Sequence, residues 1–173
     1  MKTKRLILRP LEDRDAPRIA ELAGDWAVAS MTARIPYPYD ESLSHQWISG
    51  LEDGEFVRGI EFEGGLVGAV GYFPDDDGVT EIGYWIGKPW WGRGFATEAA
   101  AKLVSYCFTT AGKQRLVCCH FVDNPGSQRV IEKLGFKPTG PCKAYCEARQ
   151  VEIATVRYEL RRPLMARFWR PAL

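Results

Sequence analysis

No stretch of this chain runs 18 apolar residues without glycine, proline or charge breaking it, so no helical membrane span is expected. Histidine is scarce: only His45 and His120 are present. The five cysteines are odd in number, Cys118 and Cys119 adjoin, and no C-x-x-C pair recurs at zinc spacing. A disulfide framework and a cysteine-rich metal centre are thereby excluded, and reduced, mostly buried thiols are expected. Cys119 and His120 are neighbours, which on a strand sends them to opposite faces and argues against a Cys–His nucleophile. The opening Met1–Pro10 is basic, yet its apolar patch is too short for a secretory leader, so a cytoplasmic protein is expected. Net charge is also small, at +1, without the single dominant basic surface of a nucleic-acid binder. Neither a membrane nor a nucleic acid is an expected partner, and no metal is implied.

What is present suits an ordinary folded chain. Its 173 residues are 46% apolar, a length that buries roughly 70% of the unfolded surface and fits a single domain over residues 1–173. Residues 163–173 read as a C-terminal extension; such a segment could reach a membrane surface or a partner, but more often packs on its own domain or on a twin copy. The near-neutral total hides an asymmetry. From Asp40 to Glu81 there are eleven acids and one base, Arg58, whereas Ile82 to Leu173 holds fifteen bases and six acids. Either the halves interleave and cancel, or one side of the molecule takes an anion and the other a cation.

Periodicity then gives the elements. Lys4–Leu11 alternates as a strand, and Asp13 or Asp15 caps a helix through Ile19, Leu22 and Ala23. Residues 26–39, with Pro36 and Pro38, read as irregular. Asp40 or Ser42 opens a second helix stopped at Gly54. Strands follow at Glu55–Glu63, Leu66–Phe73 and Val79–Lys88, joined by the Gly64-Gly65 and Pro74–Gly78 turns as antiparallel hairpins. A helix from Gly94 to Ala111 carries an apolar stripe at i, i+3, i+4 and i+7. Arg115–Val122 is a nearly continuous apolar strand, as expected when both faces are buried. Asn124 caps a fourth helix with Pro125 at its first position and Gly135 closing it. Strands Lys137–Glu147 and Val151–Arg161 end the chain. The fold class is α/β: a mixed, mostly antiparallel sheet of about seven strands flanked by about four helices.

The chemistry concentrates where a strand, Glu81–Lys88, meets the turn Pro89-Trp90-Trp91-Gly92-Arg93-Gly94 and opens the helix Phe95-Ala96-Thr97-Glu98. Consecutive N–H groups at a helix start form an anion site, and Gly92 and Gly94 let phosphate oxygens approach the backbone. A plain packing turn explains the same glycines. A dinucleotide fingerprint fits poorly: its third small residue would be Thr97, and no acid stands near Val117. No G-K-[ST] follows, which excludes a P-loop. The stretch resembles motif A of the GNAT acetyltransferases, R/Q-x-x-G-x-G/A, with Gly94 and Ala96 in place and Trp91 at the R/Q position. Trp91 to Glu98 matches the W-G-x-G-x-A-T-E pattern of the RimJ/RimL-type N-terminal acetyltransferases. Arg5–Pro10, Asn124–Ser127 and Glu132–Phe136 resemble the same branch.

That resemblance implies a sheet splayed between its fourth and fifth strands and acetyl-CoA as co-substrate. It places the pantetheine arm against the backbone of Trp85 and Ile86, with Asn124 touching the arm. It places the pyrophosphate on Gly92, Arg93, Gly94, Phe95, Ala96 and Thr97. Glu81 falls where many GNAT enzymes hold a general base, although an exposed strand-start acid or a water relay reads equally well. Ser127 matches the N-x-x-S serine, whose hydroxyl donates a hydrogen bond or proton to the departing sulfur; helix-start bonding is the plainer role. Glu147 and Glu152 are alternative bases. The implied activity is acetyl transfer to a primary amine, on a protein N-terminus or a small molecule, by direct attack. The alternative is an acyl-CoA-binding or interaction module without turnover. A homodimer is compatible with either.

Overall fold

In the computed structural model, residues 1–52, 54–74 and 79–162 are described. Seven strands form one sheet: β1 (Ile7–Arg9), β2 (Phe56–Phe62), β3 (Gly65–Pro74), β4 (Thr80–Ile86), β5 (Arg115–Phe121), β6 (Lys137–Cys146) and β7 (Val151–Arg161). Their spatial order is β1-β2-β3-β4-β5-β7-β6. Every neighbouring pair is antiparallel except β4–β5, whose parallel pairing needs the long crossover between them. The mixed, mostly antiparallel sheet anticipated from the sequence is therefore present.

That crossover is α4 (Phe95–Thr109). Ala99, Ala100, Leu103, Val104, Cys107 and Phe108 are almost wholly buried, against Ile60, Val70, Ile82 and Leu116 of the sheet. Three alanines in a row at 99–101 keep the helix slim where it meets the strands. The opposite face is covered by α1 (Ala16–Ala23), α2 (Trp26–Ala29) and α3 (Glu41–Ser49), with Ile19 and Ala23 seated on Leu66, Trp47 and Trp85. α5 (Pro125–Lys133) lies with α4, capped by Asn124, whose Oδ1 accepts from the Ser127 N–H at 3.0 Å.

Local readings needed correction in four places. The first strand is only three residues long, because residues 3–6 turn, with the Thr3 N–H donating to the Leu6 carbonyl. Segment 26–39 is not wholly irregular: Asp25 caps α2 by accepting from the Ala27 N–H at 2.8 Å. Asp15 precedes α1 but does not cap it with its side chain, which instead forms a two-pronged pair with Arg9 at 2.7 and 2.8 Å. Finally, α3 stops at Gly50 rather than Gly54, and of its two candidate caps Asp40 is the one used, accepting from the Leu43 N–H.

Candidate active site

β4 and β5 touch only at their starts, where Thr80 faces Leu116 and Glu81 faces Val117. Beyond that point β5 continues beside β7, and the two parallel strands part. The Gly87 N–H donates to the Val67 carbonyl at 2.8 Å. Strand alternation therefore turns the backbone groups of Gly83 and Trp85 toward β3, and those of Ile82, Tyr84 and Ile86 toward the gap. The tight approach of the Trp85 carbonyl to Gly68, 2.2 Å from where a Cβ would stand, agrees with this. Trp91, at the motif position usually held by Arg or Gln, sends its indole N–H back to the Ile86 carbonyl at 2.6 Å. The indole so ties the turn to the strand it leaves.

At the mouth of the gap α4 begins. Gly92 and Gly94 have φ of +74° and +78°, left-handed values that a side chain would resist. Gly94 is the N-cap and offers no side chain, so the first-turn N–H groups of Phe95, Ala96 and Thr97 have no capping partner within the helix. Glu98 sits in that same turn, where a bare carboxylate would oppose an incoming anion. It is instead held by the Thr3 hydroxyl at 2.6 Å, the Arg5 N–H at 2.8 Å and Arg5 Nε at 2.7 Å. Burial pushes the Glu98 carboxyl up, but the Thr3 and Arg5 bonds outweigh it and hold the group below its usual value. The Arg5 guanidinium also lies over the Phe95 ring, and Arg93 over both Phe62 and Phe95.

Across the gap stands the start of α5. The Tyr84 hydroxyl lies 3.0 Å from Ser127 Oγ and 3.3 Å from the Ser127 carbonyl oxygen. Burial, above all, pushes the Tyr84 hydroxyl well above its ordinary range, with the nearby Cys118 adding to the shift. It stays protonated at any pH of interest. Asn124 spends its Oδ1 on the cap and sets its Nδ2 3.4 Å from the Met31 carbonyl, joining α5 to the segment after α2.

On the sheet face toward α1–α3, Glu81 stands opposite Phe73 and Val117. Burial raises the Cys118 and Cys119 thiols, and the Glu81 charge raises them further. For Cys119 the Arg157 charge opposes the shift without reversing it. Cys142 Sγ lies 2.8 Å from Thr155 Oγ1. Neither Cys118 nor Cys119 is placed to favour a thiolate. At the outer end, the Arg34 guanidinium covers the Phe73 ring at 3.8 Å and stands 3.7 Å from Glu55.

One groove of about 1880 Å³ unites these parts. Glu81, Trp85, Ile86, Gly92, Gly94, Phe95, Ala96, Thr97, Asn124 and Ser127 all line it. Arg93 does not, since its side chain is stacked on Phe62 and Phe95, and neither Glu147 nor Glu152 is among the lining residues. Glu152 is exposed and pairs with Lys143. From the sequence, Tyr84 and Trp91 read as packing around the sheet and the co-substrate rather than as a substrate cage. Only the alternation along β4, which puts Tyr84 on the same face as Ile82 and Ile86, hinted that its hydroxyl would meet the helix side of the gap. Among the described residues, no three His, Cys, Asp or Glu side chains gather in a way that would hold a metal ion. No helix among them is long and apolar enough to cross a membrane.

A strand pair that opens beside an uncapped helix start defines the class. Residues 5–137 match the acetyltransferase (GNAT) domain, and the chain belongs to that family. It is an N-acetyltransferase of the RimJ/RimL-like kind. It is 31% identical over 150 residues to the uncharacterized N-acetyltransferase YjdG of Bacillus subtilis, covering 79% of this chain and 88% of that one. The [ribosomal protein uS5]-alanine N-acetyltransferase of Escherichia coli is 26% identical over 167 residues, with 84% and 81% covered. Among solved structures, RimJ of Mycobacterium smegmatis in complex with CoA-disulfide superposes with a TM-score of 0.80 at 22% identity, over 96% of this chain and 85% of that one.

Proposed function

We propose that this chain transfers the acetyl group of acetyl-CoA directly to a primary amine bound on the α1–α3 side of the gap. The observation that carries the reading is the parting of β4 and β5 after two residue pairs, next to a helix start whose amides lack a cap. A long polar arm bonds well to strand backbone that no neighbouring strand has claimed, here that of Tyr84 and the N–H of Ile86, whose carbonyl Trp91 holds. The Trp85 backbone, expected from the sequence to serve, is turned to β3 instead. The first-turn amides of Phe95, Ala96 and Thr97 suit a pyrophosphate, aided by the helix dipole. Asn124 stands where it would border the arm, and the Trp85 side chain backs the acceptor face.

The chemistry asks for a neutral amine and a stabilised leaving thiolate. An α-amine has a pKa of about 7.7–8.0, so a sizeable fraction is already neutral at physiological pH. Glu81 holds the proton the amine must lose, through a water or by attracting the ammonium before attack. When the tetrahedral intermediate collapses, the C–S bond breaks and sulfur keeps the electron pair. Ser127 Oγ–H donates a hydrogen bond to it. Full transfer is not required, because an alkoxide is a far stronger base than a thiolate. The raised cysteine thiols support direct attack rather than a cysteine-bound acetyl intermediate. The name of the uS5-alanine relative supports an α-amino acceptor, at a protein N-terminus or on a small molecule.

The test is to incubate the protein with acetyl-CoA and a mixed library of amines and peptides and follow product mass. Acetylated amine together with free CoA is expected. Tight acetyl-CoA binding without any product would leave a binding module instead.

A further inference from the structure

Tyr84 reaches 43 residues along the chain, from β4 to the first turn of α5, and both of its short contacts are to Ser127. A phenol with one proton cannot donate to both oxygens at once. If it donates to the carbonyl, it accepts from Ser127 Oγ–H, and the serine proton is turned toward the tyrosine. If it donates to Oγ, the nearer oxygen at 3.0 Å, the serine proton is left to point into the gap. We propose that Tyr84 is a positioning residue for acetyl transfer, its hydroxyl donating to Ser127 Oγ so that the serine hydroxyl is aimed at the departing sulfur. The inference rests on the acetyl-transfer reading above and adds a residue to it.

Three features favour positioning over a direct role. The hydroxyl is taken up by Ser127 at both of its contacts, so the serine, not the phenol, is the group left to face the gap. The high proton affinity that burial gives Tyr84 keeps a tyrosinate out of reach, so Tyr84 holds its proton throughout and does not relay it to sulfur. Chained hydrogen bonds polarise one another, and a serine that accepts from a phenol becomes a better donor to a thiolate. The ring, meanwhile, packs against the main core beneath α4, so the phenol oxygen is carried on a rigid base.

Tyr84→Phe keeps that ring and removes only the oxygen. Single-turnover acetyl transfer at saturating acetyl-CoA and amine should be measured for wild type, Tyr84→Phe, Ser127→Ala and the double variant, alongside acetyl-CoA affinity and melting temperature. Expected is a drop of about 3- to 10-fold for Tyr84→Phe, the worth of one hydrogen bond, with acetyl-CoA affinity unchanged. In the Ser127→Ala background the same change should have no effect, because there is no hydroxyl left to aim. Equal drops in both backgrounds, or an effect confined to affinity or melting temperature, would make Tyr84 a packing residue and overturn the proposal. So would a Ser127→Ala variant as fast as wild type. A wild type that binds acetyl-CoA but acetylates no amine overturns the acetyl-transfer reading first and this one with it; the wild-type arm separates the two failures.

Discussion

In the proposed chemistry Ser127 is the residue that meets the leaving sulfur, and its contacts distinguish two roles that the sequence left open. Its backbone N–H already serves the helix start, donating to Asn124, while its hydroxyl bonds to Tyr84 beside the gap. Ser127→Ala should therefore leave α5 capped and acetyl-CoA affinity little changed, while kcat falls by roughly 10- to 100-fold, the worth of one hydrogen bond to a developing charge. An unchanged kcat, with chemistry shown to be rate-limiting, would confine the serine to the helix. Gly94 gives the companion test for the phosphate turn. Its φ of +78° means that a branched residue such as valine would strain the backbone whatever it did to binding. Asparagine tolerates this conformation, and among the described residues beyond its chain neighbours the nearest atom to the new Cβ would be an Arg5 guanidinium nitrogen at 3.5 Å. Gly94→Asn should weaken acetyl-CoA binding at least tenfold, about 1.4 kcal/mol by titration, with stability altered by about 1 kcal/mol or less. The motif residues were legible because each is a local backbone requirement. Tyr84 was not, since its partner lies on another element and a tyrosine on a strand looks like packing.

At the scale of elements, the helices whose apolar stripes repeat over two turns or more were legible, as were both hairpins. α2 was not: four residues carry no periodicity, and Pro36 and Pro38 marked the whole segment as loop, so that Asp25 went unread as its cap. The parting of β4 and β5 has no signature in either strand, because alternation records which face a residue takes and not how far its neighbour follows. Asp15 shows the same limit in reverse. It looks like a helix cap, yet Arg9 of β1 claims its carboxylate, and Arg9 Nε holds Glu61 of β2 at 2.8 Å. These bonds staple the first strand, the turn before α1 and the second strand together. The Arg9 bond, then the Glu12 N–H, outweigh burial and hold the Asp15 carboxyl below its ordinary value. A depressed folded pKa contributes stability that is complete above the unfolded carboxylate range, near 4, and is lost as pH falls through the folded value. Asp15→Asn should cost about 1–3 kcal/mol in urea unfolding at pH 7, the worth of charged hydrogen bonds with Glu61 still in place. That deficit should shrink as pH falls below 4, when the wild-type carboxyl also takes up a proton. A deficit that stays constant with pH would mean that the carboxylate charge contributes nothing.

Over the whole molecule, the charge asymmetry of the sequence acquires a direction. The acidic run supplies α3, β2, β3 and the start of β4, and its Glu52, Glu55 and Glu81 line the acceptor end of the groove; Asp75, Asp76 and Asp77 belong to the same run but lie outside the described residues. The later, basic part supplies α4 and α5 beside the proposed phosphate side, and also the final hairpin, whose tip packs on Ala29, Ala33 and Ile35. An amine arrives as a cation, so the acidic end should raise its local concentration before it loses its proton. Such a field is screened over about 8 Å at physiological salt. For a cationic acceptor, kcat/KM should therefore fall with added salt more steeply than for a hydroxylamine-type acceptor that is neutral at the same pH. Glu52 is exposed at the groove and its side chain forms none of the bonds around Ser127 or the α4 turn, so Glu52→Lys should flatten the slope for the cation alone. Acetyl-CoA affinity should be untouched by that change, because the phosphate turn lies at the other end of the groove. Parallel salt slopes for the two acceptors would reduce the acidic run to a solvated surface and leave acceptor choice to shape.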